Sequence, residues 1–303
     1  MTLTLAKKSI NLKISPLVWG AWRWGKAAQD AQALNRLIQH CLQLGISSFD
    51  HADIYGGYTA EAAFGQALAL SPGLRDQVQL LTKCGIRMVS PQRPQQLSKT
   101  FSSSAAYIAA SIAQSLRNFG TDRLDLWMLH RPDLLMDAQE TASALDSAVD
   151  AGLVRAVGVS NFSVSQVTLL QKFLRAPLAV NQIELSLAKR DAFSDGVLDQ
   201  CQTLGIRPMA WSPLDGGALF GDSPLAQRLR PELARIAAAH ACTPDAVALA
   251  WLMRHPAGIV PIMGSAQLPR ITDAARAMHL QLSSEDWYAL WVGSHWRSPA
   301  LAP

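Results

Sequence analysis

One pattern recurs down the chain and limits the folds open to it. A segment with helical spacing meets a glycine or polar stop, and a short run of Val, Ile, Leu and Met follows. Residues 30–44 show it first, with Leu34, Leu37, Ile38, Cys41 and Leu42 one helical turn apart, Gly45 as the stop and an apolar run at 46–49. The pattern predicts strands at 17–19, 46–49, 78–82, 124–129, 154–159, 178–183, 206–211 and 258–263. Between and after them it predicts helices at 30–44, 59–70, 105–119, 138–151, 163–174, 196–204, 225–241, 244–254, 269–277 and 283–292. After the first, the strands are nearly solid apolar runs, as strands covered on both faces must be. Eight right-handed strand–helix crossovers close into a barrel. An open doubly wound sheet is the rival, and its usual sign is a glycine-rich phosphate turn after the first strand. Trp19-Gly20-Ala21-Trp22-Arg23-Trp24 is not such a turn.

The fold class predicted is therefore α/β, a (β/α)8 TIM barrel. It is expected as one domain over residues 1–303, with a short β-hairpin at residues 3–17 and extra C-terminal helices. Residues 85–103 are long, polar and proline-bearing, and are expected as a surface loop. With 49% hydrophobic and 17% charged residues the chain has ample core material. Its formal charge of +4 is scattered, without the dense basic run of a nucleic-acid groove, so no nucleic-acid partner is expected. No secretory leader and no apolar run long enough to span a membrane is evident. The four cysteines, Cys41, Cys84, Cys201 and Cys242, are far apart and lack metal spacing. They read as free thiols in a reducing compartment, with the cytoplasm as the default.

In a (β/α)8 barrel the C-terminal strand ends converge on the active site. The residues that terminate the predicted strands are Asp50, Lys83, His130, Asn161, Gln182, Trp211 and Ser265. Each has a bland explanation alone: Asp50 as a turn residue, Lys83 snorkelling from the rim, His130 as a satisfied loop histidine, and Tyr55 as a half-buried aromatic. Together, in one geometric layer, they form a candidate site. Trp22, Trp24, Ile86 and the loop at 85–103 are placed to shape a substrate pocket over the mouth. Strand alternation turns Cys84 away from that mouth, into a structural role.

Phe49-Asp50-His51-Ala52-Asp53-Ile54-Tyr55-Gly56, Leu80-Leu81-Thr82-Lys83 and Asp125-Leu126-Trp127-Met128-Leu129-His130 resemble the three blocks that carry the Asp, Tyr, Lys and His tetrad of the aldo-keto reductase superfamily. Val157-Gly158-Val159-Ser160-Asn161-Phe162, Asn181-Gln182-Ile183-Glu184 and Pro261-Ile262-Met263-Gly264-Ser265 extend the likeness through the second half in family order. His130-Arg131-Pro132-Asp133 and Tyr55-Gly56-Gly57-Tyr58 are similar to a bacterial subgroup of generically described oxidoreductases.

The resemblance implies reduction of an aldehyde or ketone by NADPH. Tyr55 would be the proton donor, Lys83 would favour phenolate character, Asp50 would hold Lys83, and His130 would position the carbonyl oxygen. It implies that Ser160, Asn161 and Gln182 hold the nicotinamide amide, that Trp211 stacks on its ring where many relatives have tyrosine, and that Ser212 and Leu214 touch the pyrophosphate. Trp22 and Arg23 fall on the cofactor side of the first loop. Ser265 and Arg270 match the clamp on the adenosine 2′-phosphate, beside Gly264 where many relatives have lysine. Asp273-Ala274 replaces a frequent Glu-Asn pair. No metal is called for. The expected partner is a small carbonyl compound, with a monomer favoured over an oligomer. Two other functions remain open at this point: a cofactor-binding redox-sensing subunit with little turnover, and an aldolase that forms a Schiff base on Lys83.

Overall fold

The eight buried runs do close on themselves. In this computed structural model, which describes residues 12–24 and 30–294, the strands are β1 (Val18–Gly20), β2 (Ser48–Asp50), β3 (Gln79–Cys84), β4 (Ile86–Arg87), β5 (Thr100–Phe101), β6 (Leu126–Leu129), β7 (Val157–Ser160), β8 (Leu178–Glu184), β9 (Arg207–Trp211) and β10 (Val260–Met263). Eight of them form a closed barrel in the order β1-β10-β9-β8-β7-β6-β3-β2, every pair parallel. The helices are α1 (Ala31–Gln43), α2 (Ala60–Ala69), α3 (Leu74–Gln77), α4 (Ala105–Phe119), α5 (Ala138–Asp150), α6 (Val164–Phe173), α7 (Val197–Leu204), α8 (Pro224–Ala239), α9 (Pro244–Met253), α10 (Leu268–Ala275) and α11 (Ser284–Ser294).

The local reasons for these elements are ordinary. Asp30 caps α1 by accepting from the Gln32 amide at 2.9 Å, and the helix buries Leu34, Leu37, Ile38 and Cys41 against the sheet. Each such burial contributes about 1.5–3 kcal/mol. Ser163 and Gln166 form a reciprocal capping box at the start of α6. The extra C-terminal helix is present as α11, packed on α8.

Alternation along the strands sorts side chains into two cores. An outer layer between strands and helices holds Trp19, Phe49, Leu80, Trp127, Val157 and Ala210. The barrel interior is filled by Val18, Leu81, Leu126, Met128, Val180, Met209, Val260 and Ile262, among others. This two-sided burial is why the strands read as continuous apolar runs rather than alternating ones.

Three sequence expectations are refined. Residues 3–11 of the predicted N-terminal hairpin lie outside the described residues. Residues 12–17 carry no strand ladder; instead Leu12 and Ile14 pack on the interior cluster, and Ser15 and Ser48 exchange hydrogen bonds of 2.9 and 3.1 Å at the barrel base. The loop at 85–103 holds a two-stranded antiparallel ribbon, β4 with β5. The four-residue α3, too short to leave a periodic signature, went unpredicted. No single helix among the described residues is long and apolar enough to cross a membrane. Cys41, Cys84, Cys201 and Cys242 are all free, and Cys84 is fully buried on the outer face of β3.

Candidate active site

The site is the topmost inner layer of the barrel. On β3 the inward positions are Leu81 and then Lys83; on β2 they are Ser48 and then Asp50; on β6, Leu126 and Met128 are followed by His130 just past the strand. The same period places Ser160 at the end of β7, Gln182 on β8, Trp211 at the end of β9 and Gly264 just after β10. Parallel register brings Ser160 opposite Gln182 and Gly20 opposite Asp50. Where the layers below are apolar, this one is ionic and polar.

Lys83 is completely buried, and its ammonium donates to both oxygens of the nearly buried Asp50, at 2.7 Å each. The Gln182 amide donates to Asp50 Oδ1 at 2.8 Å, giving the carboxylate three charge-assisted or neutral partners. Burial pulls the Lys83 pKa down, and Asp50 acts against that pull. Tyr55 sits in the tight turn Tyr55–Gly57, where Gly56 and Gly57 take φ of 60° and 65°, values that glycine adopts without strain. The Lys83 ammonium lies 5.3 Å from the Tyr55 ring centre, and the His130 ring stands edge-on at 6.0 Å.

The electrostatics at Tyr55 depart from the sequence expectation. Burial first, then the charges of Asp50 and Asp53, push its pKa well above 10, and Arg131 opposes them. The physical reason is that Lys83 arrives already paired: an ammonium clamped on a carboxylate presents little net charge to the phenol. Tyr55 is thereby kept protonated. His130 is held neutral, its pKa driven well below 6.5 by burial and then by the cations Lys83, Arg131 and Lys99. Its Nδ1 is sealed from solvent and has no hydrogen-bond partner among the described residues.

A second polar chain runs across β7 to β9. Ser160 Oγ donates to the Gln182 carbonyl at 2.9 Å, and Asn161 Nδ2 donates to Ser160 Oγ at 2.7 Å. The Trp211 indole N–H donates to Asn161 Oδ1 at 3.0 Å. This is what a tryptophan offers at β9 beyond an aromatic face: an N–H that fixes the Asn161 amide. Arg131 lies over the Trp211 ring at 5.6 Å. Asn161, Ser212 and Asp215 all adopt positive φ, so the loops after β7 and β9 are bent sharply toward the mouth. Ser212 and Leu214 are half-buried in the second of these loops.

Arg23, in the loop after β1, donates to the Gly216 carbonyl in the loop after β9. Its stem runs over Gly264, whose missing side chain would stand 3.7 Å from Arg23 Cδ. The arginine thus occupies the space beside Gly264. Ser265 accepts from the Gln267 amide at 3.2 Å, and its carbonyl accepts from the Trp19 indole at 2.9 Å. Arg270, in the first turn of α10, is exposed and has no carboxylate within 4.0 Å among the described residues.

The pocket residues divide. Trp22 is 50% exposed at the mouth, its ring edge-on to Tyr55 at 5.1 Å. Ile86 is buried at the foot of the loop over β3. Trp24 is turned into the outer core, away from the opening, with its indole nitrogen buried and unpaired among the described residues. Sequence reasoning missed Asp53 and Glu61. Both are buried carboxylates with pKa raised chiefly by burial, and Glu61 is held by Thr82, Ser115 and Asn118 at 2.6–2.9 Å. The signal available for Glu61 was its place on the apolar face of a helix beside Ala60, Ala63 and Phe64. Among the described residues no group of three or more His, Cys, Asp or Glu is clustered for a metal.

Comparison with known proteins agrees with this geometry. The family profile described as Aldo/keto reductase family matches residues 16–291. The chain is 44% identical over 284 residues to the uncharacterized oxidoreductase YcsN of Bacillus subtilis, covering 93% of this chain and 95% of that one. It is 44% identical over 285 residues to a 6-dehydroglucose reductase of Agrobacterium fabrum, covering 94% and 95%. An aldo/keto reductase of Klebsiella pneumoniae, solved in complex with NADP and acetate, superposes with a TM-score of 0.77 at 28% identity over 94% of each chain. The closed parallel barrel, its ionic top layer and these likenesses converge: the chain belongs to the aldo/keto reductase family of oxidoreductases.

Proposed function

We propose that the protein reduces an aldehyde or ketone to the alcohol with NADPH, and that Tyr55 gives the proton. The observation that carries this is the buried pair of Lys83 and Asp50, set 5.3 Å from the ring of a tyrosine that its surroundings keep protonated. The bound nicotinamide supplies the hydride. The chain's own residues do the rest. Tyr55 protonates the oxygen as charge develops on it, and Lys83, held charged by Asp50, limits the cost of the phenolate left behind. His130, neutral, is the hydrogen-bonding group that orients the carbonyl; a neutral imidazole does not compete with Tyr55 as the acid.

The residues present fit the cofactor. Ser160, Asn161 and Gln182 gather amide-binding groups in the buried layer, and Trp211 is locked by Asn161 in a pose that offers an aromatic wall. Gln182 Oε1 remains open, because its Nε2 is the atom engaged with Asp50. Ser212 and Leu214 edge the pyrophosphate position, with Arg23 joining the loops on either side of it. Arg270 carries an unpaired guanidinium suited to the 2′-phosphate, with Ser265 and Gly264 beside it, so NADPH is preferred to NADH.

The substrate class we assign is an oxidised sugar, as in the relative named 6-dehydroglucose reductase. Exposed Trp22 beside Tyr55 gives such a ring a flat apolar surface. The Schiff-base reading loses ground, since the Lys83 amine is inaccessible and bound to Asp50 as an ammonium. NADPH oxidation with 6-dehydroglucose and with 4-nitrobenzaldehyde tests the reading. Tyr55→Phe is expected to lower turnover about 10²–10⁴-fold while NADPH binding, followed by fluorescence quenching, survives. Full turnover in Tyr55→Phe would refute Tyr55 as the donor, and absence of nucleotide binding in the wild type would refute the cofactor.

A further inference from the structure

A cavity of about 470 Å³ lies outside the barrel mouth, between the loop that follows β3 and the outer face of α4. None of its lining residues belongs to the tetrad or to the cofactor side. Arg87 and Arg93 come from the loop, Arg117 and Gln114 from α4, and Tyr58 and Tyr107 complete the wall. Its volume falls in the range of small-molecule sites.

Three features make this a built groove. First, the arginines are pre-positioned: Arg93 lies over the Tyr58 ring at 4.9 Å, Arg87 over the Tyr107 ring at 5.7 Å, and Arg117 is held by the Gln114 side chain at 2.8 Å. Second, among the described residues none of the three has a carboxylate within 4.0 Å. Elsewhere on this surface exposed arginines do find acids, as Arg123 finds Asp76 and Asp122, and Arg235 finds Glu232 and Asp286. The acid nearest this groove is Asp53, which Tyr107 hydrogen-bonds from behind the wall and which is only 8% exposed. Third, the loop is anchored: Tyr58 Oη accepts from the Met88 amide at 2.8 Å, Ser90 Oγ donates to the Gly57 carbonyl at 3.1 Å, and the Arg93 amide donates to the Ser90 carbonyl at 2.9 Å.

Three unpaired guanidinium groups around one concave, amide-lined space focus positive potential and lower the cost of desolvating a ligand of opposite charge. We propose that this groove binds a compact polyanion, a small molecule with two or more phosphate or carboxylate groups. Each arginine offers a planar fork to one such group, and the Gln114 amide is placed for a neutral oxygen of the same ligand. Through Tyr58 and Ser90 the groove adjoins the turn that carries Tyr55, so an occupant stiffens the loop over the mouth.

Calorimetric titration of the full chain with citrate and, separately, with inorganic pyrophosphate tests this at constant ionic strength, with NADPH saturating in one series and absent in the other. Saturable binding is expected for at least one of the two, unaffected by NADPH. It is expected to weaken by about tenfold or more in the double variant Arg87→Gln/Arg117→Gln, equivalent to loss of one charge-assisted contact. Preference between the two probes assigns the carboxylate or the phosphate form. Binding abolished by NADPH would place the anion in the cofactor site and overturn the proposal. So would binding unchanged in the double variant, or no saturable heat up to about 10 mM, where an anion of about 1 mM affinity would be detected. Both substituted positions are exposed, and circular dichroism of the variant checks that it folds.

Discussion

At the scale of single residues, the centre of the account is a fully buried ion pair. Lys83 and Asp50 both left water, and the 2.7 Å double contact compensates only while both remain. Asp50→Asn or Lys83→Met alone is expected to cost about 3–5 kcal/mol. The double variant is expected to cost clearly less than the sum, with a coupling of about 2–3 kcal/mol; urea unfolding midpoints measure both. His51 gives a second test. It is fully buried, ringed by Trp19, Phe64 and Phe119, and neither ring nitrogen has a partner among the described residues. Burial, assisted by Lys83, lowers its pKa to about 3. A histidine depressed in the folded state binds its proton preferentially in the unfolded chain. Stability is therefore full above the unfolded value near 6.5 and falls as pH drops toward 3, by up to about 5 kcal/mol. Comparing wild type with His51→Leu in urea at neutral pH and near pH 4 checks it, and the variant is expected to lose much less on acidification.

At the scale of elements, close approach sets what sequence can be tolerated. A side chain on Gly65 of α2 would come 2.3 Å from the Asn118 carbonyl and 2.9 Å from the Phe119 backbone of α4, and one on Gly158 of β7 would come 2.9 Å from the Val180 carbonyl of β8. Neither neighbour is a flexible side-chain end, so Gly65→Ala and Gly158→Ala are each expected to destabilise by about 1–3 kcal/mol, read from thermal or urea melts. These contacts also mark where sequence reading stops. The strands at 46–49 and 78–82 were legible because both faces are buried, and their inward positions Asp50 and Lys83 followed from period two. The helix stop at Gly45 was legible from its residue type. The path of residues 85–103 was not, because the β4–β5 ribbon is only two residues long on each side and its anchors, Tyr58 and Ser90, act across 30 or more positions of chain. Trp24 and Trp22 looked alike in sequence; one is turned into the core and the other stands at the mouth, a difference made by a loop with no period to read.

At the scale of the whole molecule, the barrel turns eight separate strand ends into one environment whose charges must be counted together. The cation at Lys83 is cancelled by Asp50, the acids Asp53 and Glu61 lie just beneath, and the sum keeps the Tyr55 proton in place rather than releasing it. That balance was not legible from the residue list, which showed a lysine near a tyrosine but not that the lysine was already bound. The pH dependence of kcat for aldehyde reduction at saturating NADPH tests it most directly. With Tyr55 raised well above 10 and His130 depressed well below 6.5, neither group titrates between about pH 7 and 9. The rate is expected to stay flat across that range and to fall only at higher pH, as Tyr55 loses its proton. A fall in kcat through about pH 7 that disappears in His130→Gln would put the donated proton on His130 and contradict the account.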